Sequence, residues 1–401
     1  MKRFFVTVLR RLVLALKILS RIALFVLPIP LLMVYVNYTV DCSGLFQGDI
    51  LPRQVALDLI DGKNLANFSQ MDERQVISLY AQNLPEEQTP DVLAIGSSRV
   101  LSLTYEQAGA RSFFNAGMTG ADARDVMSSY YLFARAGRAP KTVIFCVDPW
   151  LLYAGENAYD YRSDPELYAE FLQQALGIDT GYEEPDKVKL WKALIDPAYF
   201  QGNIQYYLKN RDSSVVHTED GQATPFIQVS DNELYSQATN VKRWDGSVLY
   251  DEGFRSLSAE ETEVLALTQA GTFDTVNMEG FDALDEGACR RFEQFISYMQ
   301  SQGSQVILLL SPYHPMVEYI LDTEISQGKH QGFAQVEPWL RQFAQEHQIS
   351  LYGSYRPEVA GVEGADFYDG LHIRTEAIQK YFPGVSAALD EGYYLQPWPQ
   401  N

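Results

Sequence analysis

Four short apolar runs limit what this chain can fold into: Val92 to Ile95, Thr142 to Val147, Gln305 to Leu310 and Ile349 to Tyr352. Each is rich in β-branched or aromatic residues and ends at a turn or a polar residue. A strand that is apolar on nearly every residue needs cover on both faces, which parallel sheets flanked by helices provide. Helical patterns lie between and after these runs: Thr104 to Ala110, with Thr104 and Gln107 spaced as a capping box, Ala121 to Ala136, Asp285 to Gln302, Phe333 to His347, and Thr375 to Phe382, which stops at Pro383. In the Asp285 helix, Phe292, Phe295, Ile296 and Met299 share one face, and Phe333, Val336, Trp339, Leu340 and Phe343 do so in the next. The expectation is an α/β sandwich with a central parallel sheet, its aromatic residues serving as core.

The N-terminus follows other rules. Lys2, Arg3, Arg10, Arg11, Lys17 and Arg21 are the only charges in the first forty residues, and Ile22 to Val40 carries none. Nineteen residues at helical rise cover about 28 Å, the thickness of a bilayer's hydrocarbon layer. Residues 22–40 therefore read as a transmembrane helix, kinked at Pro28 and Pro30, and residues 1–21 as a basic cytoplasmic or interfacial segment. Everything after about Asp41 then lies on the extracytoplasmic side. A cleaved signal peptide is the alternative, but no small-residue cleavage site follows the span.

The net charge is −21, and setting aside the six basic residues of the N-terminal segment leaves −27 on the remainder. Such a surface repels nucleic acid and suits an exported domain that must stay soluble. Cys42, Cys146 and Cys289 have neither the density nor the spacing of a disulfide framework or zinc site. His217, His330 and His347 show no metal-ligand spacing, and no Gly-rich phosphate loop is present, so neither a metal nor a nucleotide cofactor is expected.

Residues 41–90 read as a lead-in from the membrane, partly helical at Asp72 to Gln82. Residues 91–150 and 281–401 carry the strand–helix alternation. Residues 151–280 are a Tyr-rich, acidic insertion with helical stretches at Pro165 to Leu176 and Ser258 to Leu267. Within it, Lys242 to Ser247 is a turn-rich patch that either lines a cleft or forms an ordinary surface turn.

Two motifs carry chemistry. Gly96-Ser97-Ser98-Arg99 follows the first apolar run, and Asp369-Gly370-Leu371-His372 lies near the C-terminus. A serine on a tight turn after a buried strand presents its hydroxyl at the sheet edge. A histidine takes the serine proton when an aspartate fixes its tautomer, and amides around the turn stabilise the oxyanion. His314, in the loop Ser311 to Pro315 after the third apolar run, is a second candidate for substrate binding or for the base.

With Asn115-Ala116-Gly117 between them, these blocks resemble the ordered blocks of the SGNH/GDSL hydrolase superfamily. The resemblance covers roughly residues 90–150 and 300–390. It implies an SGNH-like three-layer sandwich, to which the residue patterns add a long inserted region and an N-terminal transmembrane helix. It also implies Ser98 as nucleophile rather than Ser97, Asp369 and His372 as its partners, and the backbone amides of Ser98 and Gly117 as the oxyanion hole. Arg99, Asn115, Asp148 and His314 are then candidates for substrate binding. One block departs: where the family supplies an asparagine amide, this chain has Asp148-Pro149-Trp150, and an ionised carboxylate cannot donate to an oxyanion. Asp148 either caps the strand end, contacts Arg99 or Arg374, or marks a weakened hydrolase.

An anchored, exported domain of this kind is similar in arrangement to the acyl-transfer proteins of bacterial envelopes, among them the teichoic-acid D-alanylation protein of the Dlt system and the alginate O-acetylation proteins. That likeness implies the bilayer, a multi-spanning membrane-bound O-acyltransferase and an envelope glycan or teichoic-acid-like polymer as partners. The alternatives are a plain carbohydrate or lipid esterase and a catalytically silent envelope binding protein.

Overall fold

A computed structural model describes residues 27–40, 50–67, 73–153, 163–182, 191–210, 226–271 and 280–390, with a few isolated positions between them. Cys42, the basic segment 1–21 apart from Leu14, Lys17 and Arg21, and the start of the apolar span at residues 22–26 lie outside the described residues. The chain forms two compact units, Met1–Leu51 with Glu183–Ala223, and Pro52–Tyr182 with Thr224–Asn401. The sequence-defined insertion is thus divided between the units, and most of the lead-in belongs with the α/β alternation.

The larger unit is built on a parallel sheet of β1 (Val92–Ile95), β2 (Phe113–Asn115), β3 (Thr142–Cys146), β4 (Gln305–Leu310) and β5 (Ser350–Gly353). The spatial order is β5-β4-β3-β1-β2, and every neighbouring pair is parallel. Strand β2, three residues long, lies outside the four apolar runs and ends at the Asn115-Ala116-Gly117 block. The alternation of side chains divides the strands between two cores. Leu93, Ile95, Phe145, Leu308 and Leu351 enter one core, and Val92, Ala94, Ile144, Ile307 and Tyr352 enter the other. Double burial is what made these runs apolar throughout.

The first face is covered by long helices: α1 (Glu73–Asn83), α2 (Ala123–Arg135), α5 (Glu286–Ser301) and α7 (Phe333–His347). Asp122 and Asp285 start α2 and α5 with their carboxylates on the first free amides. The helices α3 (Pro165–Leu176), α4 (Ala259–Ala270) and α6 (Pro315–Ser326) complete the set, with Ser258 and Glu261 forming the capping box of α4. The opposite face is covered by short elements, among them Tyr105–Ala108, Pro357–Ala360, Thr375–Lys380 and Val385–Asp390. There the reading of a helix from Thr375 to Phe382 is shortened to a 3-10 turn, Thr375–Lys380, which ends at Tyr381 with φ −126°. Thr104 likewise makes no side-chain cap to the backbone and contacts the Gln107 side chain instead.

A second, antiparallel sheet joins lead-in and insertion. Asn64–Ala66 pairs with Ile227–Val229 on one side and Val241–Lys242 on the other, and Val241–Lys242 pairs with Val248–Leu249. The patch Lys242 to Ser247 is the turn of this last hairpin: Arg243 lines a cleft with Thr104, Tyr368 and Arg374, while the end of the turn is sealed against the parallel sheet. Asp245 and Ser247 are fully buried, the Asn115 amide donates to the Asp245 carbonyl at 2.7 Å, and the Val248 amide donates to the Leu101 carbonyl at 2.8 Å. Gly246 has φ +79°, and a Cβ there would sit 2.3 Å from the Asn115 carbonyl oxygen, so only glycine lets the hairpin seat against β2.

In the smaller unit the helix Pro28–Thr39 packs against residues 193–210. Among the described residues no helix is long and apolar enough to cross a membrane.

Candidate active site

In a sheet of order 2-1-3-4-5 the chain leaves β1 for β2 on one side and later returns to β3 on the other, which opens a crevice at the carboxyl ends of β1 and β3. Ser98 lies there, three residues beyond β1. Gly96 brings the chain across the end of β3: it has φ +153°, and a Cβ at that position would be 2.9 Å from the Cys146 Cβ and carbonyl oxygen. Ser97 starts a 3-10 turn at Ser98–Val100, its hydroxyl accepting the Arg99 amide at 3.3 Å. Ser97 is buried, whereas Ser98 is partly exposed.

The Ser98 Oγ is 2.9 Å from His372 Nε2, a contact between residues 274 positions apart. On its other side the imidazole lies with Nδ1 2.8 Å and 3.0 Å from the two Asp369 oxygens. With the Nδ1 proton donated to Asp369, Nε2 is left to accept the serine proton. Asp369 is itself held: Oδ1 accepts the Leu371 and His372 amides at 2.8 and 2.7 Å, and Oδ2 accepts the Gln269 side-chain amide at 2.8 Å. Burial works against its charge, but the His372 imidazole and these hydrogen bonds outweigh it and hold the carboxyl well below the usual carboxylate range. The stability from this group is therefore present above the unfolded value of about 3.9 and is lost as pH falls through the lower folded value. Asp369→Asn should flatten the acid side of a stability–pH curve, measured by urea unfolding. A variant whose curve keeps the wild-type acid slope would contradict the assignment.

Two residues from the insertion complete the site, and the sequence reading names neither. Gln269, in the last turn of α4, donates to Asp369 and accepts the Gly370 amide at 2.6 Å, gripping the Asp-x-x-His loop at two points. Tyr250 places its ring 5.8 Å from the His372 ring and 5.2 Å from that of Tyr368. The capping box at Ser258 announces the helix that carries Gln269, but no local signal shows where that helix ends in space. Losing a hydrogen bond to a charged group costs about 1.5–3 kcal/mol, so Gln269→Ala should slow serine-directed labelling about tenfold or more with the fold intact. Labelling rates equal to wild type, with equal unfolding midpoints, would remove Gln269 from the site.

The remaining candidates fall elsewhere than the sequence reading expects. Arg99 and Asp148 form a buried ion pair at 3.2 Å and present no side-chain surface to a substrate. Asp148 thus takes the Arg99 contact among its open alternatives and does not face a developing oxyanion. Burial pushes its carboxyl up, with Arg99 and Ser97 pulling it back. Asn115 is fully buried. Its amide nitrogen donates to the Val100 and Leu103 carbonyls at 2.7 and 2.9 Å, and its oxygen accepts the Gly117 amide at 2.9 Å. Its role is to fasten the turn after Ser98. The Gly117 amide, assigned to the oxyanion hole, is engaged by Asn115, whereas the Ser98 amide makes no hydrogen bond among the described residues. His314 caps α6, its Nδ1 accepting the Met316 amide at 3.1 Å, and burial lowers its pKa. Among the described residues it makes no hydrogen bond to Ser98, and it lines a separate surface pocket with Ala259, Met316 and Tyr319. Cys146 is a free thiol that burial pushes well up, and Cys289 is buried.

No protein-family model matches this chain, and no curated protein resembles it closely enough to count as a relative. The functional reading rests on the residues themselves.

Proposed function

We propose that this protein is a membrane-anchored, extracytoplasmic SGNH-like acyltransferase or esterase that uses Ser98, His372 and Asp369 on an acylated cell-envelope polymer. The observation that carries the reading is the unbroken chain of contacts from the Ser98 hydroxyl through the imidazole to a buried, ionised carboxylate. Ser98 Oγ attacks the acyl carbonyl carbon as His372 Nε2 takes its proton, and the Asp369 carboxylate stabilises the imidazolium so formed. The Ser98 amide, which makes no hydrogen bond among the described residues, is the donor this reading assigns to the oxyanion. Collapse expels the leaving alcohol, which takes the proton from Nε2, and an acyl ester remains on Ser98. A polymer hydroxyl, or water, is then deprotonated by His372, attacks that ester and restores the serine.

The anchor reading draws on the uncharged run from Ile22 to Val40 behind six basic residues. A multi-spanning O-acyltransferase is the partner that would deliver the acyl group. Transfer and hydrolysis are separated by one experiment: the enzyme is given p-nitrophenyl acetate with increasing glycan or polyol hydroxyl. A transferase should form acetylated acceptor at constant p-nitrophenol release, and an esterase should form acetate alone. An enzyme that releases no p-nitrophenol and gains no acetyl group on Ser98 by intact mass would return the silent binding protein to first place.

A further inference from the structure

The smaller unit contains a polar residue inside the apolar span. Asn37 is fully buried, its side-chain amide donating to the carbonyls of Ala193 and Leu194 at 3.0 Å each and to that of Asp196 at 3.3 Å, while its oxygen accepts the Asn203 side-chain amide at 3.0 Å. A polar side chain within an apolar span is costly unless protein groups satisfy it, and here one stretch of the insertion does so entirely. That stretch leaves large apolar side chains uncovered: Trp191 is 61% exposed and Tyr207 56%, with Ile195 and Leu208 similar. The helix Pro28–Thr39 does the same with Tyr35 and Tyr38. Phe46 joins the two, with its ring 6.1 Å from Tyr38, 6.2 Å from Trp191 and 6.5 Å from Tyr199. Charge also changes sign locally. Within residues 191–210 Lys192, next to Trp191, and Lys209 stand against Asp196 alone, in a protein of net charge −21.

Exposed Trp and Tyr beside basic residues, at the outer end of an apolar helix, is the composition that settles at the boundary between headgroups and acyl chains. We infer that residues 191–210 are a membrane-interface element, docked on the anchor through Asn37, whose occupant is the anionic surface of the bilayer itself. The inference rests on the proposed anchor and extends it: the insertion supplies a second membrane contact.

The test uses the full chain in nanodiscs of phosphatidylglycerol and phosphatidylcholine, with and without lipid brominated on its acyl chains. Bromolipid should quench part of the tryptophan emission, and Trp191→Phe should lose most of that quenchable part. Asn37→Leu should keep the chain in the disc and yet reduce the quenching of Trp191, because the docking bonds are gone. Equal quenching in wild type and Trp191→Phe, with the chain retained in the disc, would overturn the interface element alone. A chain extracted from membranes by alkaline carbonate would overturn the anchor and the interface element together.

Discussion

Ser98→Ala should abolish labelling by a fluorophosphonate, and His372→Ala should slow it by a factor on the order of 10⁴ or more. A triad acts as a unit: without the base the hydroxyl stays protonated at neutral pH, and without the hydroxyl the base has nothing to activate. The geometry makes the comparison sharp because the neighbouring serine serves as an internal control. The Ser97 hydroxyl caps the 3-10 turn and is buried, so Ser97→Ala should lose some stability and keep its label. Mass spectrometry of the labelled peptide reads the site directly. Undiminished labelling of Ser98→Ala, or a label found on Ser97, would end the assignment.

The backbone of this site was legible because strand burial and motif spacing are local properties. Val92–Ile95 and Gln305–Leu310 form where their uninterrupted apolar character places them, and α7 spans Phe333–His347 as its periodicity predicts. The pairing of Ser98 with His372 also follows, since both motifs sit in the segments that the sandwich reading assigns to one domain. What stayed hidden depends on contacts between distant segments. Arg99, Asn115, Asp148 and His314 are polar residues at strand ends, and residue type alone does not distinguish a side chain facing a cleft from one fastening the loops beneath it. All four fasten. Gln269 was hidden for the converse reason: it lies 100 positions from Asp369, inside an insertion with no visible link to the Ser98 and Asp369–His372 motifs. Helix α6 follows a loop that the sequence reading treated only as a home for His314, and its start at Pro315 is set by that histidine acting as a cap.

The fastening residues carry the second large effect. Arg99→Met should lower stability by about 3–5 kcal/mol, because it leaves Asp148 buried without its partner. More than that ion pair depends on this guanidinium. It also donates to the carbonyls of Ser311 and Pro312, and its Cζ lies 3.9 Å from the Tyr313 ring centroid and 5.9 Å from that of Tyr355. The turns after β1, β3, β4 and β5 are thereby tied at one point beneath the nucleophile. Burial works against the charge of Arg99, but Tyr313 and Asp148 outweigh it, so the cation persists. A lysine cannot reproduce a fork that reaches a carboxylate and two carbonyls at once, so Arg99→Lys should recover little. Arg99→Met with Asp148→Leu removes both charges and should regain part of the loss, since an apolar pair needs no compensation. In thermal unfolding the single variant should melt about 10 °C below wild type, with the double variant between them. Because Ser98 adjoins Arg99 in the same turn, its labelling rate should fall along with the melting temperature. A single variant that melts within about 2 °C of wild type would show that the strand ends hold together without this cation.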